Sequence, residues 1–302
     1  MDKINTTAKE EAIDFFCKKR NPNTHKGNYG RVYIIAGSPG MTGAASFCAK
    51  AALRAGCGLV YIMTKKASLP IYEVLVPEAV KKTICGNDYD FFVPEDVDEI
   101  IDNIVDASCV VLGPGLGNNH KTAQFVRRFV KKYNVSGLSM IPLILDADAL
   151  NSYSGKRQEL SLNLPHNSIL TPHVMEASRI SGDEVTQINE NRALFTDGMA
   201  RELKTIFVLK GNKTLISNGE VLYVNDSGNA GMATAGSGDM LCGIIAGFIA
   251  TDYGNVSLFE CVRFAVYIHG YCGDLAAIRY GQRFITVPYI IEQLGEIDNG
   301  KI

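Results

Sequence analysis

Apolar positions along the chain follow two rhythms. Short unbroken apolar runs occur at "RVYIIAG" from Arg31, "GLVYIM" from Gly58, "CVVLGPG" from Cys109, "PLILDAD" from Pro142, "SILTP" from Ser168 and "TIFVLKG" from Thr205. Between them lie longer segments with apolar residues at helical spacing, over 43–55, 121–133, 175–180 and 189–203. Runs that are apolar on both faces suit parallel strands covered on both sides. Their alternation with helices predicts an α/β fold, a three-layer α/β/α arrangement around a mainly parallel sheet. After Lys210 the order changes. "TLISNGEVLYVND" carries two β-like runs around Asn218-Gly219, a hairpin signal. "NAGMATAGSGDMLCGIIAGFIA", from Asn229, then runs from glycine-rich into a buried helix, and a further long helix falls within 257–280. A helix over 7–18 precedes the first strand. With no break in composition and no repeat, the pattern predicts one domain over 1–302, with 1–24 as an N-terminal helical extension.

Composition narrows the class. The 302 residues carry 30 basic and 32 acidic side chains, a net charge of −2, which gives no electrostatic reason to expect nucleic acid. Eight cysteines are scattered without a CxxC pair and read as small buried hydrophobes in a reducing compartment, not a disulfide framework or zinc site. The longest apolar run, from Met240, is far short of the ~20 residues a membrane span needs, and the first twenty residues do not read as a signal peptide. A cytoplasmic protein without a membrane partner is expected.

In an open α/β sheet, ligands bind beyond the carboxyl ends of the strands, so candidate chemistry is sought there. "AGSPGMTGAA" after the first run suits phosphate or a planar group, or is a tight structural turn. "LGPGLGNN", with Gly115 and Gly117, lets backbone approach a ligand. In "LILDADALN" Asp148 caps a helix, or Asp146 and Asp148 together orient a ligand or hold a hydrated Mg²⁺ indirectly. His173 and Glu176 follow the fifth run; His173 is a structural hydrogen-bonder or a ligand contact. "VLKGNKTLI" places Lys210 and Gly211 at a strand end, with Thr214 nearby, where they would bracket a nucleotide phosphate; Lys210 alone would be a solvated charge. In "AGSGDM", Ala235, Gly236, Ser237 and Gly238 lead a helix whose free N–H groups and dipole form an anion hole. Asp239 among those donors can take a proton from a hydroxyl, or merely cap the helix.

The ordered set "HKGNYGRVYIIAGS", "GAASFCAKAALRAGCGLV", "VLGPGLG", "LILDADALN", "ILTPHVMEASRI", "VLKGNKTLI" and "GMATAGSGDMLCGIIAGF" resembles the ADP-dependent NAD(P)H-hydrate dehydratase family, within the ribokinase-like superfamily. Ser237 departs from the family's usual Thr but keeps the hydroxyl. The resemblance implies ADP-dependent dehydration of hydrated NADH and NADPH (the S epimer), with release of AMP and phosphate and with Mg²⁺ as cofactor. It implies Asp239 as base, the backbone of Ala235, Gly236, Ser237 and Gly238 as anion hole, and Lys210, Gly211, Asn212, Lys213, Thr214 and Gly238 against the adenine nucleotide. Ala44, Gly115, Gly117, His173 and Asp239 would line the hydrate site. No side chain is assigned as a metal ligand. Thr214 resembles the ADP-using branch; the ATP-using branch is expected to have Asp there. The family further implies a homotetramer, and no epimerase domain is expected within the 302 residues. The alternative is a ribokinase-like kinase of a vitamin or sugar alcohol, which shares the GxGD element.

Overall fold

The computed structural model describes residues 5–6 and 9–297. In chain order the elements are β1 (Asn5–Thr6), α1 (Lys9–Phe16), β2 (Arg31–Ile35), α2 (Thr42–Arg54), β3 (Leu59–Thr64), α3 (Leu69–Leu75), β4 (Val80–Thr83) and α4 (Val97–Asn103). Then come β5 (Cys109–Leu112), α5 (His120–Val135), β6 (Leu143–Leu145), α6 (Asp148–Asn151), α7 (Arg157–Asn163), β7 (Ser168–Leu170), α8 (Val174–Ser181), α9 (Val185–Glu190) and α10 (Arg192–Leu203). The chain closes with β8 (Ile206–Leu209), β9 (Leu215–Ser217), β10 (Leu222–Val224), α11 (Ser237–Asp252), α12 (Leu258–Tyr280) and α13 (Val287–Gln293).

The strands form one sheet in the order β1-β10-β9-β8-β7-β6-β5-β2-β3-β4. From β8 to β4 every neighbour is parallel; β9 pairs antiparallel with β8 and with β10. Side-chain alternation divides the core. Val32 and Ile34 of β2 face a cluster with α1, α2, α11, α12 and α13, while Tyr33 and Ile35 face one with α4, α5, α8 and α10. That is the three-layer arrangement the pattern predicts. The chain runs β2, β3, β4 in one direction across the sheet and then returns to lay β5, β6, β7, β8 in the other. The reversal between β2 and β5 is the topological switch point, where an open α/β sheet parts its loops into a crevice.

All six apolar runs become strands. The two-residue β1 and the short helices α3, α4, α6 and α7 are not expected from the apolar pattern, and three further departures have a local cause. The helix expected over 189–203 breaks at Asn191 (φ −131°, ψ 40°), which separates α9 from α10. The turn at Asn218-Gly219 spans four residues rather than two, because Asn218 Oδ1 accepts from the amides of both Glu220 and Val221. Strand β4, "VKKT", had no apolar run to announce it: it is the sheet edge, and its lysines are what an edge strand tolerates.

The helix expected over 7–18 is described from Lys9 to Phe16; Thr7 lies outside the described residues. It docks firmly. Glu11 accepts two hydrogen bonds from buried Arg263 of α12, both 2.9 Å, and Phe15 stacks on Phe264 with centroids 4.6 Å apart.

Helix α11 is buried from Met240 to Ile249. A Cβ on Gly243 would stand 2.2 Å from the Cys48 carbonyl oxygen, and one on Gly247 would stand 2.6 Å from Ala55 Cβ. These glycines, one turn apart, let α11 lie directly on the alanine-rich face of α2. Two of the glycines around Asp239 therefore serve packing, and those before it serve the helix entry.

Candidate active site

The switch point brings two glycine-rich loops together. Gly37 N donates to the Pro114 carbonyl (2.8 Å) and Ser38 Oγ to that of Gly115 (3.0 Å). Gly115 sits so close to Ala44 that a Cβ there would meet Ala44 Cβ at 2.9 Å. Ala44, Gly115 and Gly117 thus form one wall at the carboxyl ends of β2 and β5.

The next strand supplies carboxylates. Between Asp146 and Asp148, Ala147 holds φ 50°, ψ −116°, a backbone state costly for a residue with a Cβ. The kink sends the two aspartates to different partners. Asp148 Oδ2 accepts from Gly117 N at 2.9 Å, tying this strand end to the glycine wall. Asp146, 1% exposed, accepts at Oδ1 from Lys210 Nζ (2.5 Å) and from Thr171 Oγ1 (2.9 Å). Burial alone would lower the Lys210 pKa, but Asp146 and Glu176 outweigh it and hold the ammonium above its ordinary value. Lys210 is a fixed cation. Its side chain turns inward to Asp146, while Gly211, Asn212 and Lys213 form an exposed loop with Gly211 (φ 145°) and Lys213 (φ 55°) in the left-handed region. Arg192 of α10 clamps that loop, donating to the carbonyls of Asn212 (2.5 Å) and Leu209 (3.3 Å). Thr214 Oγ1 donates to the Gly211 carbonyl at 3.0 Å.

Helix α11 enters here. Gly236, at φ 92°, is its N-cap and offers no side-chain cap. The Ser237 amide folds back on the Thr234 carbonyl (3.3 Å), so it contributes less to an anion hole than its position suggested. A Cβ on Gly238 would lie 3.2 Å from Lys210 Nζ and 3.7 Å from Asp146 Oδ2. Glycine at this position keeps the helix mouth open toward that pair. Asp239 is one residue on. Burial, then the neighbouring Asp146 and Asp148 carboxylates, raise its pKa to about 6 against the pull of Lys210. A carboxylate tuned toward neutrality by burial and by neighbouring carboxylates, yet ionised at pH 7, is suited to general-base work on a hydroxyl. The orphan amides and helix dipole beside it suit charge developing on a phosphoryl group.

His173 has a defined structural task. Its Nδ1 accepts from the Glu176 amide (3.2 Å), and Glu176 Oε2 accepts from the His173 amide (2.9 Å), a capping box at the start of α8. The Nε2 lies 3.3 Å from Glu176 Oε1. With Nδ1 used as acceptor, the neutral ring carries its proton on Nε2. Burial first, then Lys210, lowers the His173 pKa, whereas burial lifts that of Glu176 to about 7. His173 forms an isolated bridge with Lys210, so it borders the cluster.

The sequence pattern missed two supports. Arg192 lay within an apparently continuous helix. His269 of α12 is half-buried, with Nε2 3.2 Å from Ser237 Oγ, and desolvation drives its pKa to about 4, so it stays neutral. Only a strict accounting of polar residues inside the apolar 257–280 stretch would have flagged it.

Among the described residues no three His, Cys, Asp or Glu side chains converge as a cage for a metal ion. The carboxylates that crowd Asp239 do fit a hydrated Mg²⁺ brought in on nucleotide phosphates, the usual way this ion is held beside a transferring phosphoryl group.

Comparison with known proteins places the chain in a family and a fold. The family profile described as NAD(P)H-hydrate dehydratase matches residues 32–295. A bifunctional NAD(P)H-hydrate repair enzyme of Moorella thermoacetica is 33% identical over 92% of this chain and 52% of its own length. The chain thus spans about half the length of several curated relatives it matches. An ADP-dependent (S)-NAD(P)H-hydrate dehydratase of Neisseria meningitidis is 34% identical over 85% of this chain and 81% of its own. The crystal structure of the ADP/ATP-dependent NAD(P)H-hydrate dehydratase of Bacillus subtilis, co-crystallised with ATP and Mg²⁺, superposes with a TM-score of 0.79 at 26% identity, covering 98% of each chain. By the reach of that profile and the identity to these relatives, the chain belongs to the NAD(P)H-hydrate dehydratase family.

Proposed function

We propose that the chain repairs hydrated NADH and NADPH, converting the S epimer back to the dihydronicotinamide at the expense of ADP. The observation that carries this reading is the meeting of Asp239, the open mouth of α11 and the Lys210–Asp146 pair beside the glycine wall of the switch point.

The chemistry follows from that arrangement. Asp239 takes the proton of the hydroxyl on ring carbon 6 as its oxygen attacks the β-phosphorus of ADP. The bond from that phosphorus to the bridging oxygen breaks, and AMP leaves. Hydroxide is a poor leaving group and phosphate a good one, so the ring nitrogen lone pair then expels phosphate. Loss of a proton from carbon 5 restores the ring double bond. The amides at Gly238 and Asp239 face the developing phosphoryl charge, and Lys210, held by Asp146, adds a fixed positive charge. Mg²⁺, when bound with the nucleotide, would neutralise phosphate charge, held through its waters on the Asp146 side of the cluster. The exposed loop from Gly211 to Thr214, steadied by Arg192, takes the adenine nucleotide.

ADP is assigned as donor from Thr214, and dehydration without epimerisation is assigned to these residues. A cytoplasmic homotetramer is the assembly proposed; no described helix is long and apolar enough to cross a membrane. The test supplies hydrated NADH, Mg²⁺ and either ADP or ATP, and follows recovery of dihydronicotinamide absorbance. Recovery with ADP, with one AMP and one phosphate per ring restored, is expected. A stable phosphorylated product would instead make the protein a kinase, and turnover with ATP alone would reverse the donor assignment.

A further inference from the structure

The repair reaction accounts for one end of a dinucleotide and leaves a neighbouring space without an occupant. A cavity of about 470 Å³ opens beyond the glycine wall. Ser38 and Gly117 line it from the switch-point loops, and Asp88, Tyr89, Asp90 and Phe91 line it from the segment after β4. It adjoins the reacting centre, because the Gly117 amide is the donor to Asp148.

Its direction matters. The loop assigned to the donor nucleotide joins β8 to β9, whereas the cavity lies across the switch point, toward β3 and β4. A hydrated dinucleotide with its ring at Asp239 would keep its ribose, pyrophosphate and adenosine clear of the donor by running across the switch point toward this cavity.

The segment that closes the cavity is anchored, although its tip is exposed. Asp96 is fully buried and Lys65 nearly so; Lys65 Nζ reaches both Asp96 oxygens (3.0 and 3.2 Å) and Asn87 Oδ1 (3.0 Å). Asn87 Nδ2 donates to Asp96 Oδ1 (2.7 Å), and the Tyr89 amide donates to Asn87 Oδ1 (3.1 Å). Tyr89 and Phe91 follow that anchor, with ring centroids 5.3 Å apart and planes tilted by 49°. Flat aromatic faces of this kind stack on a nucleobase. Lys121 is committed to Tyr89: its Nζ donates to the phenol oxygen and sits over the ring, 4.0 Å from the centroid. The charged groups that line the space are the carboxylates Asp88 and Asp90. A carboxylate accepts hydrogen bonds from free ribose hydroxyls and repels a 2′-phosphate, the logic by which dinucleotide sites separate NAD from NADP.

We propose that this cavity takes the adenosine end of the hydrate and that Asp88 and Asp90 select hydrated NADH over hydrated NADPH. The proposal rests on the dehydratase reading, so its test separates the two. First, kcat/KM is measured for both hydrates, at low and high salt, in the parent and in Asp88→Asn/Asp90→Asn. Both aspartates are exposed, so the double variant keeps the fold. The parent is expected to favour hydrated NADH by roughly tenfold through KM, a gap that narrows in high salt because exposed charges are screened. In the double variant the gap should fall to about threefold or less, as both carboxylate charges that repel the 2′-phosphate are removed.

Second, NADH and NADPH themselves are titrated by their own fluorescence; the chain has no tryptophan to interfere. Tighter NADH binding that equalises in the double variant is expected. Equal kcat/KM for the two hydrates, or a preference that the double variant keeps, overturns the proposal and leaves repair intact. If neither hydrate is repaired yet NADH binds more tightly than NADPH and the variant removes the difference, the repair reading falls and the cavity assignment stands. Equal binding of both in that case overturns the assignment too.

Discussion

Helices α5 and α11 are both sixteen residues long and both begin at the carboxyl edge of the sheet after a glycine-rich turn, yet they are built in opposite ways. Helix α5 buries one stripe, including Phe125, Phe129 and Tyr133, and shows lysines and arginines on the other. It closes its own N-terminus: Asn119 Oδ1 accepts from the Thr122 amide at 3.0 Å. Helix α11 is apolar all round, and its N-cap is a glycine with no side chain to offer. Instead of a cap, its mouth faces Lys210, Asp146 and the carboxylate of Asp239. A surface helix satisfies its own orphan amides. A buried helix that leaves them open beside a desolvated carboxylate has donors free for a ligand, as the proposed function requires.

The sharpest break in that comparison is Asp239→Asn. It should lower turnover by about 10²–10⁴-fold, the usual worth of a positioned base, with the fold intact by circular dichroism. Near-wild-type repair would remove Asp239 from the chemistry.

The pH profile sharpens the same point. With Asp239 raised to about 6, kcat/KM should hold above pH 7 and fall about tenfold per unit well below pH 6, as the base is protonated. Stability should run the other way. The folded-state pKa lies above the ordinary 3.8, so ionising Asp239 costs stability as pH rises from 3.8 to about 6. Asp239→Asn should therefore be at least as stable as the parent at pH 7, with the advantage gone below pH 3.8; denaturant midpoints across that range decide it.

Packing gives a smaller effect. Gly243→Ala forces a Cβ against the Cys48 carbonyl, which is backbone and cannot swing away. A loss of about 1–3 kcal/mol in denaturant unfolding is expected from such overpacking. A neutral result would mean that α2 and α11 separate easily. The smallest change belongs to α5, where Asn119→Ala should cost about 1 kcal/mol by loss of the cap. An unchanged midpoint would show that the cap is dispensable and weaken the contrast with α11.

Much of the fold could be read from the chain because strands apolar on both faces and helices apolar on one leave different periods. The six runs from Arg31 to Lys210 and the longer amphipathic helices α2 and α5 needed no tertiary information. Strand β4 was invisible because an edge strand buries little, so its Val-Lys-Lys-Thr carries no apolar period. The break at Asn191 was invisible because apolar spacing continued through it.

The candidate chemistry divides in the same way. Glycines and acids at strand ends marked the loops that matter, and the order of motifs carried the family resemblance. Three things were not local. The Lys210 ammonium, read as a phosphate contact, is turned onto Asp146, 64 positions earlier in the chain. His173, weighed as a substrate contact, is first the cap of α8. His269, unmarked in an apolar helix, reaches Ser237. By itself the sequence determined the six buried strands, the longer helices and the glycine-rich strand ends, because burial and backbone freedom are written position by position. Only the tertiary structure decided which charges meet, since the strand order around the switch point sets adjacent loops side by side, and a side chain's partner and pKa depend on the neighbours that order supplies.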